Sequence, residues 1–262
     1  MGTKVSKRRG FTIVEMMITL MLFGILSTVS FVAIREASVI WRKTSSRDAV
    51  SKSLGRAWSS LRRDLENIKL DTQSFATQKV SPSLGSGNDG DALCFLSPED
   101  ANGDLAVDDL GNAFMVNNIV YYLIVPQNHD QMFGMHCNGG ADSAGYEMQC
   151  PHKALVRVTQ DNNPSGGPAD PTDNKTKNVL IPTWNTLFTR PTNLQGGTAT
   201  RKVVAANLLT FRLNPDTTNN MLRVEMSAVA SEDAARNIPL GSVQLGATPY
   251  TTAQRTSFVC RN

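Results

Sequence analysis

The chain has 262 residues, 40% hydrophobic and 19% charged, a balance that excludes wholesale disorder and suits one or two folded domains. Its net charge is +3, yet Lys4, Lys7, Arg8 and Arg9 lie in the first ten residues with no acid among them. Removing those four cations from +3 leaves the rest of the chain at −1, so the basic balance is no argument for nucleic-acid binding by the body of the protein.

Residues 11–34 read FTIVEMMITLMLFGILSTVSFVAI, 24 residues with one charge, Glu15. At 1.5 Å per residue such a helix spans about 36 Å, enough to cross a bilayer core of about 30 Å. The cationic tip, residues 1–10, belongs in the cytoplasm by the positive-inside rule, which sends the C-terminal bulk outward. A secretory signal peptide has an apolar core of about 7–15 residues with a small-residue cut site beyond it. The run here is longer and carries an acid near its start. A plain anchor explains neither Gly10 nor Glu15, because a carboxylate within the membrane costs about 2.5–3.5 kcal/mol on insertion scales and needs a partner.

Lys7-Arg8-Arg9-Gly10 followed by Phe11-Thr12-Ile13-Val14-Glu15 resembles the class III signal of type IV prepilins and type II secretion pseudopilins. The resemblance implies that a prepilin peptidase cuts between Gly10 and Phe11, methylates the new amine of Phe11, and leaves the apolar segment on the mature chain. It continues through Met16 and Met17 to Gly24, where many pilins have a mid-helix glycine. Major pilins often carry a proline eight residues later, and Val32 stands there, which favours a minor subunit over a major, filament-forming one. After cleavage the Phe11 amine would lie one helical turn from Glu15. Buried charges are tolerated when paired, and breaking such a pair costs about 3–5 kcal/mol, so Glu15 is expected to set the register of assembly.

The partners implied by the resemblance are the prepilin peptidase, other pilins or pseudopilins met through the N-terminal helix, an inner-membrane assembly platform and membrane lipid. The implied location is the bacterial inner membrane with a periplasmic C-terminal domain, and later a pilus or pseudopilus. The implied fold is α+β and pilin-like, a long N-terminal helix packed on an antiparallel sheet.

Residues 35–70 are expected to continue the helix. Val50, Leu54, Ala57, Trp58, Leu61, Leu65 and Ile68 recur in steps of three and four, defining one apolar face. Arg62, Arg63, Asp64, Glu66 and Asn67 are assigned to the opposite, wet face, and Gly55 weakens the helix by up to about 1 kcal/mol with no visible compensation. From residue 71 to 262 the periodicity changes to that of an antiparallel sheet domain with long loops. Strands are expected at 92–96, 117–125, 154–159, 179–181, 207–213, 221–230 and 256–260. Residues 222–228 alternate as in a sheet with one wet face, and NPDTTNN at 214–220 reads as a turn.

Cys94, Cys137, Cys150 and Cys260 all lie beyond the apolar run, an even number that suits two disulfides in an oxidising compartment. A Cys137–Cys150 bridge would close a short loop and contribute about 3 kcal/mol, and Cys94 with Cys260 would tie the last strand to an early one. The competing readings are buried free thiols and a zinc site in which His136-Cys137 and Cys150-Pro151-His152 supply two sulfurs and two imidazoles, although that spacing matches no standard template. Asp100, Asn102, Asp104 and Asp108 space oxygens like the start of a calcium loop, but Leu105 and Gly111 stand where the EF-hand pattern wants glycine and glutamate. No G-x-S-x-G, Walker, dinucleotide-binding or H-E-x-x-H pattern occurs, and neither an enzyme nor a resident cofactor other than calcium is expected. The reading from another class is a membrane-tethered binding or enzymatic domain on an unusual anchor.

Overall fold

The computed structural model describes residues 12–65, 68, 70, 73–99, 104–107, 111, 115–134, 136, 137, 140–162, 180–192, 194, 200–229 and 251–259. The chain divides into two compact units, residues 1–45 and 46–262, and one helix, α1 (Ile13–Leu65), contributes to both.

In the first unit α1 opens on a capping box. Thr12 Oγ1 accepts from the Glu15 N–H at 3.3 Å, while Glu15 Oε2 accepts from the Thr12 N–H and hydroxyl, both at 2.9 Å. Two donors left over at the helix start are thereby satisfied within one turn. The stretch Ile13–Trp41 is long and apolar enough to cross a membrane, and its large side chains, from Ile13 through Phe23 to Trp41, are exposed. The hydroxyls of Thr19, Thr28 and Ser38 donate to the carbonyls of Glu15, Gly24 and Ile34 one turn back at 2.7–2.9 Å, which spares them an unpaired state in an oily run.

In the second unit the remainder of α1 buries Val50, Leu54, Ala57, Trp58, Leu61 and Leu65, the face expected from their spacing. The helix stops at Leu65 with Arg62 and Arg63 in its last turn, a placement the macrodipole favours. It is shorter than expected. Ile68 and Leu70 still pack in the core from beyond its end. Gly55 is exposed, and a side chain there would meet open space, so nothing in the structure explains the glycine.

Among the described residues the sheet has seven antiparallel strands in chain order: β1 (Phe75–Lys79), β2 (Asp91–Ser97), β3 (Asn117–Ile124), β4 (Lys153–Asp161), β5 (Arg201–Asp216), β6 (Met221–Val229) and β7 (Thr251–Val259). A long N-terminal helix followed by an antiparallel sheet domain is the α+β layout expected, and it is consistent with a pilin-like fold. β1 was not expected, because FATQK is short, sits at the sheet edge and buries only Phe75. Of the strand expected at 179–181, Val179 lies outside the described residues, and Leu180 and Ile181 lead into a 3-10 turn, Trp184–Leu187. Leu180 and Trp184 are pressed onto the sheet there, and the Leu180 N–H is taken by the Gln73 carbonyl at 2.9 Å.

Both faces of the central strands are covered. Phe75, Leu93, Phe95, Ile119, Tyr121, Leu123, Leu155, Phe211 and Leu222 pack with α1 in one core. Ala92, Cys94, Leu96, Val120, Tyr122, Ile124, Val156 and Val158 form a second core under a strap of residues 180–194. Tyr122 holds that strap twice: its hydroxyl donates to the Thr189 carbonyl at 3.0 Å and accepts from the Thr189 N–H at 3.2 Å. This double cover explains why β3 reads as a continuous apolar run. The wet face expected from alternation appears in β6 at Arg223 and partly at Glu225. The 214–220 turn is tighter than expected, with β5 running to Asp216 and the turn confined to residues 217–220.

Candidate functional site

Among the described residues two places carry chemistry, the start of α1 and a cluster of cysteine and histidine beside β4. At the first, Glu15 is the acid of the capping box, while Gly10 and Phe11 lie outside the described residues. The Thr12–Glu15 spacing is itself a readable capping signal, and it gives the carboxylate a helix-capping role in addition to the expected assembly role.

At the second, a five-residue helix, α2 (His129–Phe133), turns the His129 ring inward until only 2% of the residue is exposed. Its Nδ1 is 2.7 Å from Asp130 Oδ1, and the other oxygen of Asp130 is 2.8 Å from His136 Nδ1. These contacts, that with His129 the stronger, hold the Asp130 carboxyl below its ordinary range. A proton on His129 Nδ1 in this contact leaves Nε2 with a free lone pair. That Nε2 lies 3.0 Å from His152 Nδ1, 3.4 Å from Cys137 Sγ and 3.4 Å from Cys150 Sγ. Cys137 Sγ is 3.7 Å from His152 Nδ1, and all four ligand atoms lie within 4.8 Å of one another. Phe133 stacks on the His152 ring at 3.9 Å between centroids, fixing its plane.

The surroundings hold Cys150 in place. Glu147 Oε1 accepts from the backbone N–H groups of Gln149 and Cys150 at 2.6 and 2.8 Å. Glu147 is itself fully buried and paired with buried Lys153 at 2.9 Å. Lys153 also donates to the carbonyls of Glu147 and Leu209 at 2.6 and 3.0 Å. On the far side Gly87 has φ +82°, and a Cβ there would meet the Glu147 backbone nitrogen at 2.7 Å, so only glycine lets the 86–88 loop approach. The Cys150 thiol beside it, helped by the His152 and His129 rings, draws the Cys137 thiol down to about 5, while the same contact and burial push Cys150 up.

The expected disulfides are not seen among the described residues. Cys94, Cys137 and Cys150 are free thiols, and Cys260 lies outside the described residues. Cys94 points from β2 into the apolar layer under the strap, where burial pushes its thiol up to about 12. Cys137 and Cys150 do approach each other, but with two imidazoles facing the same point. The histidine that joins them is His129, not His136, which stands behind it through Asp130. Three histidines gathered around two cysteines were the available signal. The pairing was hidden because the donors come from a helix, a loop and the start of a strand. Of the expected calcium ligands, Asp104 is exposed, and Asp100, Asn102 and Asp108 lie outside the described residues. Asp64, assigned to the wet face of α1, is instead nearly buried and bonded to the sheet.

Residues 5–31 match the family model described as the prokaryotic N-terminal methylation motif. The match takes in Gly10, Phe11 and Glu15, and it runs into the apolar stretch of α1. The chain therefore carries a prepilin-type N-terminus on an apolar helix. That motif supports a type IV pilin- or pseudopilin-like subunit, and it implies processing by prepilin peptidase and assembly with other pilins. No curated protein and no solved structure matches the chain.

Proposed function

We propose that the chain is a minor pilin or pseudopilin that assembles through its N-terminal helix and primes or caps a type IV pilus or type II secretion pseudopilus. The prokaryotic methylation motif over residues 5–31 carries this reading. The exposed apolar side chains of Ile13–Trp41 add to it, since such a surface needs lipid or neighbouring helices to cover it. In the membrane the apolar helix stores the subunit with its sheet domain on the periplasmic side. In the filament the same helix packs among its counterparts, and Glu15 pairs with the amine of Phe11 on its own or a neighbouring subunit. Val32, at the position of the usual proline, favours the minor role. The subunit works by assembly and not by catalysis.

The test joins processing to assembly. Co-expression with a prepilin peptidase is expected to remove the first ten residues and to leave a methylated Phe11 amine, seen by intact mass. Glu15→Gln keeps a side chain able to close the capping box but removes the charge, whereas Glu15→Ala removes both. Both variants are expected to be processed normally and to be missing from sheared filaments. Glu15→Gln incorporating like the parent would reduce Glu15 to a helix cap. A chain that stays full length in its native cell and never joins filaments would overturn the proposal.

A further inference from the structure

We propose that His129, Cys137, Cys150 and His152 bind one zinc ion in a closed tetrahedral site that staples the 129–137 segment to the start of β4. The inference is independent of the assembly role. It rests first on distance. Metal–nitrogen bonds of about 2.0–2.1 Å and metal–sulfur bonds of about 2.3 Å give a tetrahedron with edges of about 3.3 Å between nitrogens and about 3.6 Å between nitrogen and sulfur. The edges here are 3.0 Å for His129 Nε2 to His152 Nδ1, and 3.4, 3.4 and 3.7 Å for the nitrogen–sulfur contacts given above. Four of the six edges are thus near those of a single ion's shell, and all four ligand atoms lie within 4.8 Å of one another.

Charge and burial agree with the geometry. Cys150, His129 and His152 are all at or below 2% exposure, a setting in which a bare divalent cation is costly. Two thiolates neutralise it, and two neutral imidazoles complete the shell, so the loaded site carries no net charge. Soft sulfur with imidazole in a tetrahedron selects zinc over calcium or magnesium, which take oxygen donors. With four protein ligands there is no open position for water, the hallmark of a structural ion.

The outer contacts are those that such a site uses. Asp130 binds the far nitrogen of His129, the carboxylate–histidine arrangement that fixes the ring and raises its basicity. Glu147 holds the Cys150 backbone through the Cys150 N–H at 2.8 Å. His136 touches Asp130 and not the cluster, so it is a control.

The experiment uses the full-length chain in mild detergent, freed of any affinity tag, with metal measured by mass spectrometry and thiols counted without reduction. About one zinc per chain is expected, with Cys137 and Cys150 unreactive until the metal is chelated. Chelation should lower Tm, and zinc but not calcium should restore it. His136→Ala should keep its zinc. Cys150→Ser and His129→Ala should lose it, and Asp130→Asn should bind about 10–100-fold more weakly in competition with a chelator. Should the ligand variants fail to fold, cobalt added to the metal-free parent decides, since tetrahedral thiolate coordination gives an intense visible spectrum. A Cys137–Cys150 disulfide in protein from its native cell, or reduced protein that takes up neither zinc nor cobalt, overturns the site.

Discussion

Ser53 offers one hydroxyl to both backbone groups of a single residue. Its Oγ donates to the Ala206 carbonyl at 2.6 Å and accepts from the Ala206 N–H at 3.1 Å. Those groups are free of the ladder because β5 shifts register against its neighbours, with Asn207 held at φ 59°. A left-handed asparagine is tolerable at such a bulge, and the bend needs a partner from outside the sheet. Removing the hydroxyl by Ser53→Ala leaves a half-buried donor and acceptor without that partner. It is expected to cost about 1–3 kcal/mol, read as a lower Tm of the detergent-solubilised chain. An unchanged Tm would mean that β5 relaxes to pair Ala206 elsewhere.

At the scale of elements, the end of α1 is fastened to the sheet by charge as well as by apolar contact. Asp64, with a side chain 2% exposed, is 2.6 Å from Arg157 Nε on β4 and accepts from the Tyr121 hydroxyl on β3 at 2.7 Å. Ser60 shares that hydroxyl at 2.6 Å, and Arg63 adds a contact at 2.9 Å. Burial and the neighbouring Asp64 charge push the Tyr121 phenol up, so it stays a donor. Truncating one member of a buried pair strands the other, which costs about 3–5 kcal/mol. Asp64→Ala is therefore expected to lose that much stability in chemical denaturation, and Asp64→Asn, which still accepts from Tyr121, to lose less. Equal losses for the two would assign the network's worth to the Asp64–Arg157 charge pair and none of it to the hydrogen bond from Tyr121.

The whole molecule separates cleanly into what the membrane needs and what the domain needs. All the helix residues in the sheet's core, from Val50 to Leu65, fall in the unit that begins at Ser46. A chain starting at residue 46 is expected to be soluble and folded, whereas one starting at residue 66 would expose Leu93, Phe95, Ile119 and Leu123 and aggregate. Size-exclusion chromatography and near-UV circular dichroism distinguish the two. A soluble, cooperatively folded 66–262 fragment would show that α1 is dispensable to the sheet.

The apolar run, the prepilin-type signal, the amphipathic spacing from Val50 to Leu65 and most of the strands were open to reading because each is a local pattern. A span, a heptad-like face or an alternating strand repeats within a few residues, and its physics needs no knowledge of the rest. Tertiary structure alone decided three things: that Asp64 turns toward the sheet, that Leu180 and Ile181 lie in a strap over the second face and not in a strand, and that His129 joins Cys137, Cys150 and His152. Each depends on residues far apart in the chain. Burial of an acid, loss of a strand and convergence of donors are settled by what arrives from elsewhere, which no local periodicity records.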